Sequence, residues 1–130
     1  MQLREVIKEF GELVGFQSLE TNNNGVVHIT INKIGDLFID EKYSDESGGN
    51  VFVYLLRVYE RIDGELYKAA LEMCDNQRDT EFIVNPVLHK EQALGFVIKY
   101  PIDQFDINVL QKMIRHLQGL QNRLEGGVSL

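Results

Sequence analysis

Leu3, Val6, Ile7, Phe10, Leu13 and Val14 recur at steps of three, one, three, three and one, which predicts an amphipathic helix with a narrow apolar stripe. Arg4, Glu5, Lys8, Glu9 and Glu12 take its wet side, and Gly15 suits its end. Phe16–Asn24 reads as a loop, closing on asparagines and Gly25. The period then drops to two. Val27, Ile29 and Ile31 share a face against Val26, His28 and Thr30, the alternation of a half-buried strand. Asn32-Lys33-Ile34-Gly35 fits a hairpin turn into a second strand, Leu37-Phe38-Ile39, which fades into Asp40-Glu41-Lys42. After the polar, glycine-bearing stretch Ser44–Asn50, the run Val51–Tyr59 is apolar on both faces and only Arg57 interrupts it. That pattern predicts a central strand covered on both sides.

The second half repeats the alternation of periods. Asp63-Gly64-Glu65 opens a helix over Leu66–Cys74, with Leu66, Tyr67, Ala70, Leu71 and Cys74 broadly on one side. Phe82–Leu88 reads as a strand whose Pro86 requires an edge or a bulge. In the next strand Leu94, Phe96, Ile98 and Tyr100 share a face, and Pro101 ends it. Either Asp103 or Asp106 can cap the longest helix, whose stripe is Leu110, Met113, Ile114, Leu117, Leu120 and Leu124. Arg115, His116, Gln118, Gln121 and Arg123 fill its other side, with Gly126–Gly127 as the stop. The order α-β-β-β-α-β-β-α predicts an α+β fold, an antiparallel sheet with helices, and 130 residues make residues 1–130 a single domain.

Composition narrows function mainly by exclusion. A formal net charge of -7 argues against nucleic acid, whose phosphates call for an excess of lysine and arginine. No apolar run approaches the roughly 20 residues of a membrane helix, so membrane insertion is not expected. Met1-Gln2-Leu3-Arg4-Glu5 lacks the pattern of a signal peptide, and Cys74, the single cysteine, forms no internal disulfide; both fit the cytoplasm. His28, His89 and His116 show no ligand spacing with each other or with Cys74, so no metal is expected. Asp36, Asp40 and Glu41 are better explained by a solvated hairpin end than by an acid–base pair. Cys74, closing an apolar helical face, suits a small buried hydrophobe better than a nucleophile. No phosphate loop, serine elbow or HExxH is present. The reading is a non-enzymatic protein with no catalytic residues and no cofactor.

Three stretches carry a family likeness. They are Leu66-Tyr67-Lys68-Ala69-Ala70-Leu71-Glu72-Met73-Cys74-Asp75-Asn76, then Phe82-Ile83-Val84-Asn85-Pro86 with Leu94–Ile102, and Phe105-Asp106-Ile107-Asn108-Val109-Leu110. With the element order, acidity and length they resemble the class I type III secretion chaperones, the Tir-chaperone (CesT-like) family. The sequence departs from that family in the charged link Arg57–Asp63 and in the added Gly48–Gly49. The resemblance implies a homodimer that binds an extended segment of a secreted effector and keeps it export-competent, with a secretion ATPase as a further candidate partner. It implies a dimer interface at Leu66, Tyr67, Ala70 and Leu71. It also implies client grooves formed by the first helix and the sheet, for which Val6, Phe10, Val14, Phe38 and Tyr43 are the candidates. The stripe Val6, Phe10, Leu13 and Val14 is better explained by packing against the chain's own sheet than by a client groove. The alternative function is a CesT-like protein-binding adaptor or regulatory domain outside secretion.

Overall fold

A computed structural model describes residues 2–14, 26–31, 35–44, 48–75, 82–90 and 92–128. The amphipathic start forms helix α1 (Gln2–Val14), and the first alternating run forms β1 (Val26–Ile31). Next come β2 (Gly35–Ser44), β3 (Gly48–Val58) and helix α2 (Gly64–Asp75). Strands β4 (Ile83–His89) and β5 (Ala93–Pro101) lead through a 3-10 turn at Ile102–Gln104 into helix α3 (Ile107–Val128). The expected α-β-β-β-α-β-β-α order is the observed one. The expected loop Phe16–Asn24 and the turn residues Asn32, Lys33 and Ile34 lie outside the described residues.

The strands form one antiparallel sheet in the order β1-β2-β3-β5-β4. β3 is central, and Pro86 lies on the edge strand β4, where a proline is tolerated. β2 and β3 each run further than the sequence pattern predicts. The register pairs Asp40 with Phe52, Lys42 with Asn50 and Ser44 with Gly48, so cross-strand pairing carries polar residues into the ladder. At the hairpin end Gly35 has φ +132°, and a Cβ there would collide with the Leu56 carbonyl oxygen, so only glycine fits.

One face of the sheet carries the core. Val27, Ile29, Leu37, Ile39, Val51, Val53, Leu55, Leu94, Phe96 and Ile98 are all buried on it, and the register aligns them strand by strand. Leu66 and Ala70 from α2, and Leu110, Met113, Leu117, Leu120 and Leu124 from α3, join the same cluster. Burying each large side chain contributes about 1.5–3 kcal/mol relative to leaving it in water.

Both following helices start on an aspartate. Asp63 Oδ1 accepts the Leu66 amide at 2.9 Å, and Asp106 Oδ1 accepts the Val109 amide at 2.8 Å. Asp106, not Asp103, therefore caps α3. Phe105 and Leu110, fully buried on either side of that cap, occupy the positions of a hydrophobic staple.

Three expectations need correction. α3 passes through Gly126–Gly127 and ends at Val128. Gln121, expected on the wet side of α3, is wholly buried. Its Nε2 donates to the Leu55 carbonyl at 3.0 Å and the Leu94 carbonyl at 2.9 Å. Its Oε1 accepts the Tyr59 hydroxyl at 2.7 Å. One side chain thus ties the helix to both β3 and β5. Beside it Arg57, buried in the central strand, donates to Asn122 at 3.0 Å and pairs with Glu125 at 3.1 Å. The third correction concerns β3: among the described residues, helices cover only one of its faces.

Candidate protein-binding face

Alternation along the strands places a second set of side chains on the opposite face of the sheet. Register sets His28, Phe38, Tyr54, Val97 and Asn85 in one row across all five strands. The flanking rows hold Val26, Asp40 and Phe52, and then Asp36, Leu56 and Val87. Phe38, Phe52, Tyr54 and Val97 are half-buried. Leu56 is only 5 % exposed, yet it stands outside the helix-covered core. No described element covers this face.

A trough of about 200 Å³ runs across the face, lined by Val26, Phe38, Asp40, Tyr54, Leu56, Val87 and His89. Sites for drug-sized molecules occupy about 300–1,000 Å³, so this trough seats one or two amino-acid side chains. Aromatic and aliphatic walls with a few polar groups at the margin suit an apolar anchor of another polypeptide.

The β1–β2 side of the face is held in place. The His28 ring stacks on Phe38 with centroids 4.2 Å apart and planes 8° apart. Its Nε2 lies 3.1 Å from Asp36 Oδ1, and the same oxygen accepts the Thr30 hydroxyl at 2.8 Å. Burial acts to raise the Asp36 pKa, but the hydrogen bonds from Thr30 and His28 and the His28 charge outweigh it and hold the carboxyl below its ordinary value. Asp36 is thus a fixed negative charge. Asp40 has Lys42 at 3.7 Å, and that ammonium also lies 5.3 Å from the centre of the Phe52 ring.

The residues singled out in the sequence are distributed unevenly. Phe38 lies in the trough wall. Val6 and Phe10 are packed into the chain's own core. The side chains of Val14 and Tyr43 lie outside the described residues. In α2, Leu66 and Ala70 are core, Tyr67 is half-buried and Leu71 is 40 % exposed. α2 packs beside β4, where Leu88 is 44 % exposed, so two open apolar residues stand on neighbouring elements. Tyr54, Leu56 and Val87 were not anticipated in the trough. For Tyr54 and Leu56 the signal was present in the doubly apolar third strand, which reads as buried on both sides until its neighbours are placed; Val87 stands on β4. His28 and His89 stand on the two edge strands and His116 on α3, so the histidines lie on three separate elements.

Among protein-family models and curated proteins, nothing matches the sequence. The fold does match solved structures: it is that of the type III secretion chaperones. The chain is similar to the Yersinia pestis type III secretion chaperone SycH, solved in complex with a stable fragment of YscM2. The TM-score is 0.62 at 16 % identity, over 95 % of this chain and 97 % of that one. It is equally similar to a chain of the HopA1–SchA chaperone–effector complex, with TM-score 0.62 and 16 % identity over 95 % of this chain and 91 % of that one. No helix among the described residues is long and apolar enough to cross a membrane.

Proposed function

We propose that this chain is a cytoplasmic, non-enzymatic, type III secretion chaperone-like protein that binds an extended segment of a secreted effector and keeps it export-competent. The observation that carries the reading is the uncovered apolar sheet face, with a trough of side-chain size, on a fold shared with two chaperones solved in complexes. A segment held extended offers alternate side chains to such pockets and its backbone to a sheet edge. Binding masks apolar client surface by mass action and requires no nucleotide or other cofactor. Components of the export apparatus, a secretion ATPase among them, release the client.

The protein acts as a homodimer through α2 and β4. Leu71 and Leu88 supply the open apolar surface there, with Tyr67 beside them, while Leu66 and Ala70 support the helix from beneath. A two-fold interface uses the same patch twice, which suits a short helix packed beside an edge strand. Light scattering checks this: the wild type runs at twice the 14.9 kDa chain mass, and Leu71→Glu with Leu88→Glu runs at the chain mass. A wild-type monomer at micromolar concentration sinks the dimer.

Capture of the tagged protein from its native host, followed by limited proteolysis of the complex, tests the client. The expected result is one protein partner with a protected stretch that stays sensitive to denaturant-free unfolding probes, meaning it is held non-globular. A partner that is folded throughout favours the adaptor reading outside secretion. Absence of any partner while export is active refutes both.

A further inference from the structure

The trough also carries information about what it selects, and this step rests on the reading of the chain as a protein-binding chaperone. Its walls are aromatic and aliphatic, but carboxylates stand along one side. Asp40 lines the trough itself, and Asp36 is the register partner of Leu56 in the trough wall. Asp36 is held by Thr30 and by an imidazole, neither of which brings a permanent positive charge. The Lys42 ammonium near Asp40 is 62 % exposed and 3.7 Å away, a loose pairing that an incoming cation can share or replace. Lys99, the other lysine on this face, stands towards the far end of Asp40's row, two strands away beyond Phe52. The whole chain carries -7.

These charges decide between occupants. A second copy laid face to face would bring Asp36 and Asp40 towards their own counterparts, with like net charge on both bodies. A small molecule of ordinary size would not fit the volume. We propose that the trough recognises a client segment in which a large apolar side chain is flanked by lysine or arginine. The apolar group seats among Phe38, Tyr54, Leu56 and Val87, and the cation lies over Asp36 and Asp40. The client is thereby chosen by a basic–apolar pattern, and the aromatic walls serve the cation's stem as well as the anchor.

The test uses three short synthetic peptides with one central leucine, flanked by lysine, serine or glutamate. Each carries a fluorophore for anisotropy and, in a second set, a benzophenone for photo-crosslinking to the full chain. The lysine-flanked peptide binds about fivefold tighter than the serine-flanked one, the yield of two exposed ion pairs, and the gap closes at high salt. D36N with D40N removes that preference, so that the lysine-flanked and serine-flanked peptides bind alike. Leu56→Ala weakens all three, and the crosslinks fall on the trough walls of β2, β3 and β4.

Equal binding of the lysine and glutamate peptides, or a preference that survives D36N with D40N, overturns the inference. Crosslinks on α1, α2 or α3, away from the trough walls, overturn it too. So does a shift from dimer to monomer in Tyr54→Glu, which would make this face the subunit contact. If the host partner still binds the D36N/D40N and Leu56→Ala proteins, only the assignment of the trough is lost. If the wild type binds neither peptide nor partner, the chaperone reading falls as well.

Discussion

Gln121→Leu removes the polar tie between α3 and the sheet while keeping nearly the same volume. Gln121 is fully buried, and so are Leu55 and Leu94, whose carbonyls it holds at 3.0 and 2.9 Å. A buried group left without its partner costs about 1–3 kcal/mol. Two carbonyls therefore lose about 2–6 kcal/mol together. The lower half of that range applies because each carbonyl keeps its second lone pair for other donors, and the greater burial preference of leucine returns about 1 kcal/mol of it. The Tyr59 hydroxyl is half-buried and can turn to water, so its lost bond adds little. A net destabilisation of about 2 kcal/mol is a large share of the roughly 5–15 kcal/mol that holds a domain. Urea unfolding followed by circular dichroism reads it directly. With a slope of about 1–3 kcal/mol per molar, the midpoint drops by about 1 M at constant slope. Tyr59→Phe alone costs about 1 kcal/mol, and in the Gln121→Leu background it costs less, because the partner is already gone. A Gln121→Leu midpoint within experimental error of wild type would refute the idea that these hydrogen bonds hold the helix on the sheet.

Two further outcomes follow from the same region. Burial first, then the Glu125 carboxylate, push the Tyr59 phenol up to about 12, with Arg57 opposing. The folded state therefore holds that proton more tightly than the unfolded chain does. Tyr59's stabilising effect is whole below the free phenol value of about 10 and is lost as pH rises from there to about 12. Wild-type urea midpoints should fall more steeply across that window than those of Tyr59→Phe, and one of the five tyrosines should ionise late; parallel curves and a single tyrosine titration would contradict it. Gly95→Ala places a methyl group against the Leu55 carbonyl oxygen and the Gln121 amide, and the backbone cannot yield as a flexible side chain would. The expected loss is about 1–3 kcal/mol, measured by thermal melting, and an unchanged melting temperature would show that β5 relaxes freely.

The periodicities were enough to read the element order, the strand–proline–helix run and the core stripe of α3, because local spacing alone decides which side chains share a face. They also showed that β3 had two apolar faces. They could not show that helices would cover only one of them, since that depends on where α1, α2 and α3 pack after the chain closes. Val6 and Phe10 illustrate the same limit: an amphipathic stripe looks alike whether it meets its own sheet or a guest, and here the core takes it. Gln121 and Arg57 looked like a surface glutamine and a stray charge. Tertiary packing buried both, because the carbonyls of Leu55 and Leu94 needed a donor and Glu125 and Asn122 stood within reach of the guanidinium. Sequence by itself determined the elements and their inner faces. Only the tertiary structure decided which apolar face stayed open, since that outcome belongs to contacts between residues far apart in the chain.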